Sequence, residues 1–93
     1  MKCAKLFSAL ATLALLLTFV AAPAGDDIPI KDLPKAVVEA IKARFPDAVF
    51  LEAEKEGKRD GKTKYEVEIR SQGKKYEVDI LEDGTILKVE RDD

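Results

Sequence analysis

From Lys64 to Gly84 the chain reads KYEVEIRSQGKKYEVDILEDG, with apolar and charged residues alternating through most of it. A period of two is the pattern of a strand with one covered face and one open face. Tyr65, Val67 and Ile69 share one side of a first strand, and Glu66, Glu68 and Arg70 the other. Tyr76, Val78 and Ile80 share one side of a second, opposite Lys75, Glu77 and Asp79. Ser71-Gln72-Gly73-Lys74 predicts a hairpin turn between them, and Glu82-Asp83-Gly84 a further turn in which Gly84 accepts a positive φ. The segment TILKVER, from Thr85 to Arg91, then reads as a last strand with Leu87 and Val89 inward.

Upstream the period changes. In LPKAVVEAIKARF, the residues Leu33, Val37, Ile41 and Phe45 fall on one helical stripe, flanked by Ala36 and Ala40, whose small side chains permit close approach to a sheet. Asp32 is the expected N-cap, Pro34 suits the first turn, and Pro46 ends the helix. Lys35, Glu39 and Lys42 face water. After the Pro46-Asp47 turn, AVFLEAEK (48–55) has strand composition but two competing apolar sets, Val49, Leu51 and Ala53 against Ala48 and Phe50. A bulge near Leu51 would turn both Phe50 and Ala53 inward, and alternation alone leaves the register open. EGKRDGKT (56–63) reads as a polar loop, and GDDIPIK (25–31) as a short leader in which Pro29 blocks regular pairing. The expected fold is therefore α+β: an N-terminal helix packed on one face of a four-stranded antiparallel meander.

The first residues follow another logic. Lys2 and Lys5 precede an uncharged run rich in Leu and Ala from Leu6 to Ala22, and Ala22-Pro23-Ala24 places small residues where a signal peptidase reads them. Residues 1–24 are expected to be a signal peptide cut between Ala24 and Gly25, leaving a leader (25–31) and one domain (32–93). Cutting after Ala22 would put Pro23 just past the scissile bond. The apolar run falls slightly short of the ~20 residues of a spanning helix, so removal is expected rather than membrane anchoring. The expected location is periplasmic or secreted. Cys3, the single cysteine, precedes the apolar run rather than ending it as a lipid-anchored cysteine would, and it leaves with the signal.

Charge and composition narrow the chemistry. Sixteen basic residues less Lys2 and Lys5 leave 14 against 18 acidic ones, a net charge of −4 for residues 25–93. Mild acidity argues against nucleic acid and anionic membranes as partners. With no histidine in the chain and no cysteine after Cys3, transition-metal ligands are lacking, and Ser71, Thr63 and Thr85 are hydroxyls without an imidazole to activate them. Asp60 and Gly61, or Asp92 and Asp93, lack the alternating ligand pattern of a calcium loop. Glu66, Glu68, Glu77 and Asp79 cluster on the open face, but paired-carboxylate catalysis needs one acid held protonated in an apolar pocket. Interleaved Arg70, Lys75 and Lys88 predict instead a solvated face of cross-strand charge pairs. No catalytic residue, cofactor or metal is expected.

The helix entry LPKAVVEAIKARFP, the segment DAVFLEAEKE, the pair YEVEI and YEVDI, and DGTILKVE with its Asp-Gly turn together resemble the PepSY-like family, also described as beta-lactamase-inhibitor-like, across Ile28 to Glu90. The resemblance implies a small, exported, non-catalytic bacterial domain related to modules that hold proteases inactive. Its implied partner is an envelope protein, a protease or a sensor. The alternative is a stand-alone structural or stress-related envelope protein whose acids loosely bind cations or small ligands. Candidate residues for a protein-binding face are Glu66, Glu68, Arg70, Lys75, Glu77 and Asp79.

Overall fold

The computed structural model describes residues 25–92. The expected signal peptide and Cys3 lie outside the described residues. Five strands form one antiparallel sheet in chain order: β1 (Asp26–Ile28), β2 (Val49–Arg59), β3 (Lys62–Ser71), β4 (Lys74–Leu81) and β5 (Ile86–Arg91). Helix α1 (Lys35–Arg44) precedes β2 and covers one face. The α+β class holds, with five strands rather than four.

The added strand comes from the segment read as a leader. Asp26, Asp27 and Ile28 pair with Lys55, Glu54 and Ala53. Pro29, with no N–H to donate, ends the pairing after three residues. Gly25 lies tight against β2: a Cβ there would sit 2.6 Å from the Lys55 carbonyl oxygen and 2.6 Å from Glu56 Cγ.

The expected cap at Asp32 does not form. Ile30–Asp32 is a 3-10 turn, and α1 starts only at Lys35, with the Pro34 carbonyl accepting hydrogen bonds from Val37 and Val38. The cause is Pro34, whose ring excludes the residue before it from helical angles; Leu33 accordingly has φ −68° and ψ 142°. The helical stripe itself stands, with Leu33, Val37 and Ile41 buried and Phe45 packed at the rim against Tyr76, ring centroids 5.0 Å apart.

The polar stretch 56–63 is not a loop. β2 runs through it to Arg59 and turns on Asp60-Gly61, both at positive φ, as a two-residue hairpin of the primed type requires. An extra residue is absorbed between Lys55 and Lys58, where Gly57 has φ +70°. Gln72-Gly73 makes the second hairpin by the same geometry, at the expected place.

Tyr65, Val67, Ile69, Val78 and Ile80 are buried against α1, as their alternation requires. The register of β2 is settled by a bulge at Leu51: Phe50 pairs with Ile69 and Glu52 with Glu68, so Phe50 and Ala53 both reach the core side. β5 behaves alike. Ile86 pairs with Ile80 and Lys88 with Asp79, which leaves Leu87 as the extra residue. The inward residues of β5 are therefore Ile86 and Val89, not Leu87 and Val89. Gly84, at φ +94°, brings the β4–β5 turn onto the helix; a Cβ there would lie 3.0 Å from the Ala36 carbonyl oxygen and 3.4 Å from Ala40 Cβ. Ala36 and Ala40 thus serve the close approach their size permits.

Candidate functional site

The uncovered face is built by all five strands, with β2, β3 and β4 at its centre, and their outward residues stand opposite one another across the ladder. One transverse row runs Asp27, Glu54, Glu66, Asp79 and Lys88; the next runs Glu52, Glu68, Glu77 and Glu90. Of these nine positions, only Lys88 is basic. Directly opposed residues interact most strongly within a sheet, and like charges opposed in this way repel. Arg70 and Lys75 are likewise opposite one another, and both stand beyond the acids at the Gln72-Gly73 end. The expected alternation of opposite charges across strands is thus replaced by blocks of like charge. The reason is register: alternation along a strand decides which residues face outward, but pairing decides which face each other.

The compensating cations reach in diagonally. Lys75 Nζ lies 3.1 Å from Glu68 Oε2, and Lys64 Nζ lies 3.5 Å from Glu56 Oε1 and 3.9 Å from Asp79 Oδ2. Lys88 meets Glu90 at 3.3 Å. The centre of the face is left with a carboxylate excess. Glu52, Glu54, Glu66, Glu68 and Glu77 line a depression of about 50 Å³. Burial, a hydrogen bond to Glu77 and the nearby charges of Glu56, Glu77 and Asp79 push the Glu66 pKa up to about 8. In that state Glu66 donates its proton to the Glu77 carboxylate. Burial also raises Glu54, aided by Asp27, Glu56 and Glu52. The face is therefore only half exposed at its centre, where free solvation was expected.

All six sequence-derived candidates lie on this face, but not as one cluster. Glu66, Glu68, Glu77 and Asp79 form the acidic centre; Arg70 and Lys75 form a basic corner joined to it through the Lys75–Glu68 pair. Glu52, Glu54 and Glu56 belong to the centre as well and were missing from the sequence reading. One choice would have found the first two: the register that turns Phe50 and Ala53 inward turns Glu52 and Glu54 outward. Glu56 was hidden by reading β2 as ending at Lys55.

A protonated acid beside ionised ones invites comparison with carboxylate-pair hydrolysis, but the geometry does not fit it. Retaining and inverting mechanisms separate their carboxyls by roughly 5–9.5 Å to admit a glycosidic bond or a water, whereas Glu66 and Glu77 share a hydrogen bond. A depression of about 50 Å³ is also far below the ~300 Å³ at which small-molecule sites begin. Carboxylate oxygens of Glu54, Glu56 and Glu66 lie within 4.8 Å of one another, a spacing that a hard cation could bridge.

The family model of the peptidase propeptide and YPEB domain, PepSY, matches residues 34–90, from the helix entry through β5. No curated protein and no solved structure matches the chain.

Proposed function

Because this chain belongs to the PepSY family of peptidase propeptide and YPEB domains, we propose that it is a non-catalytic exported domain that binds and restrains an envelope protein, with a protease as the first partner to test. The observation that supports this most is the open sheet face: two adjacent rows of carboxylates, only partly neutralised, on a platform too shallow for a small substrate. Such a field suits a partner bearing lysine and arginine, through steering and through the relief of repulsion on contact. Glu68, Glu77 and Asp79 would take its cations, joined by Glu66 as their arrival releases its proton, and Arg70 and Lys75 would take an acidic group at the corner.

Export is part of the same reading. Residues 1–24 act as the signal and the secreted form begins at Gly25; intact mass from the cell envelope checks this, and a species retaining Lys2 and Lys5 would mean an anchored protein instead. Among the described residues no helix is long and apolar enough to cross a membrane.

Envelope peptidases captured on the immobilised protein provide the functional test. Stoichiometric addition should suppress the captured enzyme's activity, and association should slow as salt rises. Reversal of Glu68 and Glu77 to Lys should weaken the complex without lowering the melting temperature. Capture that ignores both salt and charge reversal would remove the acidic face from the interface. The Glu54, Glu56 and Glu66 spacing favours a second reading, a stand-alone envelope protein that loosely binds cations. A rise in melting temperature with millimolar calcium, in a protein that captures nothing, would favour it.

A further inference from the structure

A second surface adjoins the acidic face along the outer edge of β2. β1 pairs only with Ala53, Glu54 and Lys55, so Val49–Glu52 has no strand partner on that side. Pro29 ends the ladder there, and the Ile30–Asp32 turn that follows stays beside β2 without pairing, which leaves a groove of about 290 Å³ with Ile28, Ile30 and Leu51 as apolar lining and Asp27 and Glu52 as its acids. The two large hydrophobic side chains exposed among the described residues, Val49 at 56% and Leu51 at 37%, both belong to this short stretch. The bulge explains Leu51: as the extra residue it has no position in the ladder and no place on the core side.

We propose that the groove and the free β2 edge together seat an extended partner segment in which lysine or arginine alternates with apolar residues. The proposal rests on the reading of this protein as a protein-binding domain and gives that binding an address. A strand laid along Val49–Glu52 sends successive side chains to opposite faces. Those on the open side meet Asp27, Glu52 and Glu54; those on the other meet the Ile28 and Ile30 wall. A segment with period-two alternation of cation and hydrophobe satisfies both. A second copy of this chain does not, because edge-to-edge pairing would bring the Asp27, Glu52 and Glu54 carboxylates of both copies onto one face.

The test uses a blocked peptide alternating lysine with valine and leucine, its glutamate counterpart, and the lysine peptide with alternate backbone amides methylated, each titrated into the 15N-labelled protein. The lysine peptide should shift the amides of Val49–Ala53 and slow hydrogen exchange there by at least about tenfold at saturation, while the other two should not. Leu51→Lys should weaken binding about tenfold or more with little change in melting temperature, since Leu51 is not one of the buried core residues. Shifts confined to Glu66, Glu68 and Glu77 without edge protection, a dimer abolished by Leu51→Lys, or no binding at about 1 mM peptide would each overturn the proposal. The two readings fail separately. A captured peptidase still inhibited by the Leu51→Lys protein removes the edge alone, whereas edge protection by the peptide with no inhibited enzyme removes the protease role alone.

Discussion

Ser71 Oγ donates a 2.6 Å hydrogen bond to Asp47 Oδ1, and Asp47 Oδ2 accepts a second, of 3.0 Å, from the backbone N–H of Gln72. One carboxylate from the turn after α1 thus holds the tip of the β3–β4 hairpin, across 24 residues of chain. Ser71 is the single buried polar side chain among the described residues, and this bond satisfies it. The Ser71 hydroxyl, more than the Gln72 amide, lowers the Asp47 pKa below its ordinary value.

A carboxylate with a depressed folded-state pKa stabilises the fold above its unfolded pKa and stops doing so as pH falls through the folded value. Asp47→Asn should therefore melt several degrees below the wild type at pH 7, and the two should converge as pH drops below about 4. Thermal melts by circular dichroism across that range give the answer; a gap that persists unchanged at low pH would mean that the carboxylate charge is not what holds the hairpin.

Glu66 has the opposite sign. Its folded pKa of about 8 lies above the ordinary 4.5, so the folded state holds a proton that the unfolded chain releases, and stability declines as pH rises from about 4.5 to about 8. Glu66→Gln, which resembles the protonated form, should melt as the wild type near pH 5 and higher than the wild type at about pH 9. Equal melting at both values would show that Glu66 titrates as a free side chain.

Val67 and Val78 are fully buried partners on adjacent strands beneath the helix. Either one changed to Asp should destabilise the domain by more than about 4 kcal/mol and abolish its cooperative melt. Val49→Asp, on an exposed position of the same sheet, should stay within about 0.5 kcal/mol of the wild type. The reverse ranking would exchange the two faces.

The faces of β3 and β4 were legible because each strand alternates without interruption and every inward residue is large and apolar. Other features leave little trace in the residues themselves. β1 has three residues, two of them Asp, and exists because β2 offers an edge and not because its own composition favours extension. The far half of β2 looks like a loop because Gly57, Asp60 and Gly61 lie so close together, although Asp60-Gly61 is a hairpin signal when the residues on both sides are allowed to be polar. The acidic rows were readable only in part: which acids face outward follows from one strand, but Glu68 standing between Glu52 and Glu77 follows from the pairing of three.

Gly84 is held by two separate demands, a φ of +94° and a helix backbone 3.0 Å from where a Cβ would be. Gly84→Ala should therefore cost more than the same change at a glycine held by its dihedral alone. Gly61→Ala meets only the dihedral demand, since nothing lies within 4 Å of its Cβ position, and should cost about 1–2 kcal/mol. Urea unfolding of the pair separates the two; equal losses would mean that the turn does not press on α1.

The bulges at Leu51 and Leu87 also make the chain unequal in its tolerance of shortening. Where the ladder is regular, away from these bulges and the irregularity at Gly57, removing one residue reverses the facing of everything beyond it, so that loss of Val67 would send the remaining apolar side chains of β3 into water. At the bulges the arithmetic runs the other way: without Leu51, Phe50 is followed directly by Glu52 and Ala53, in, out, in, and without Leu87 the same holds for Ile86, Lys88 and Val89. Each leucine is a spare letter in its strand. The fold can be spelled without it, so what Leu51 does for the protein is to be sought outside the core.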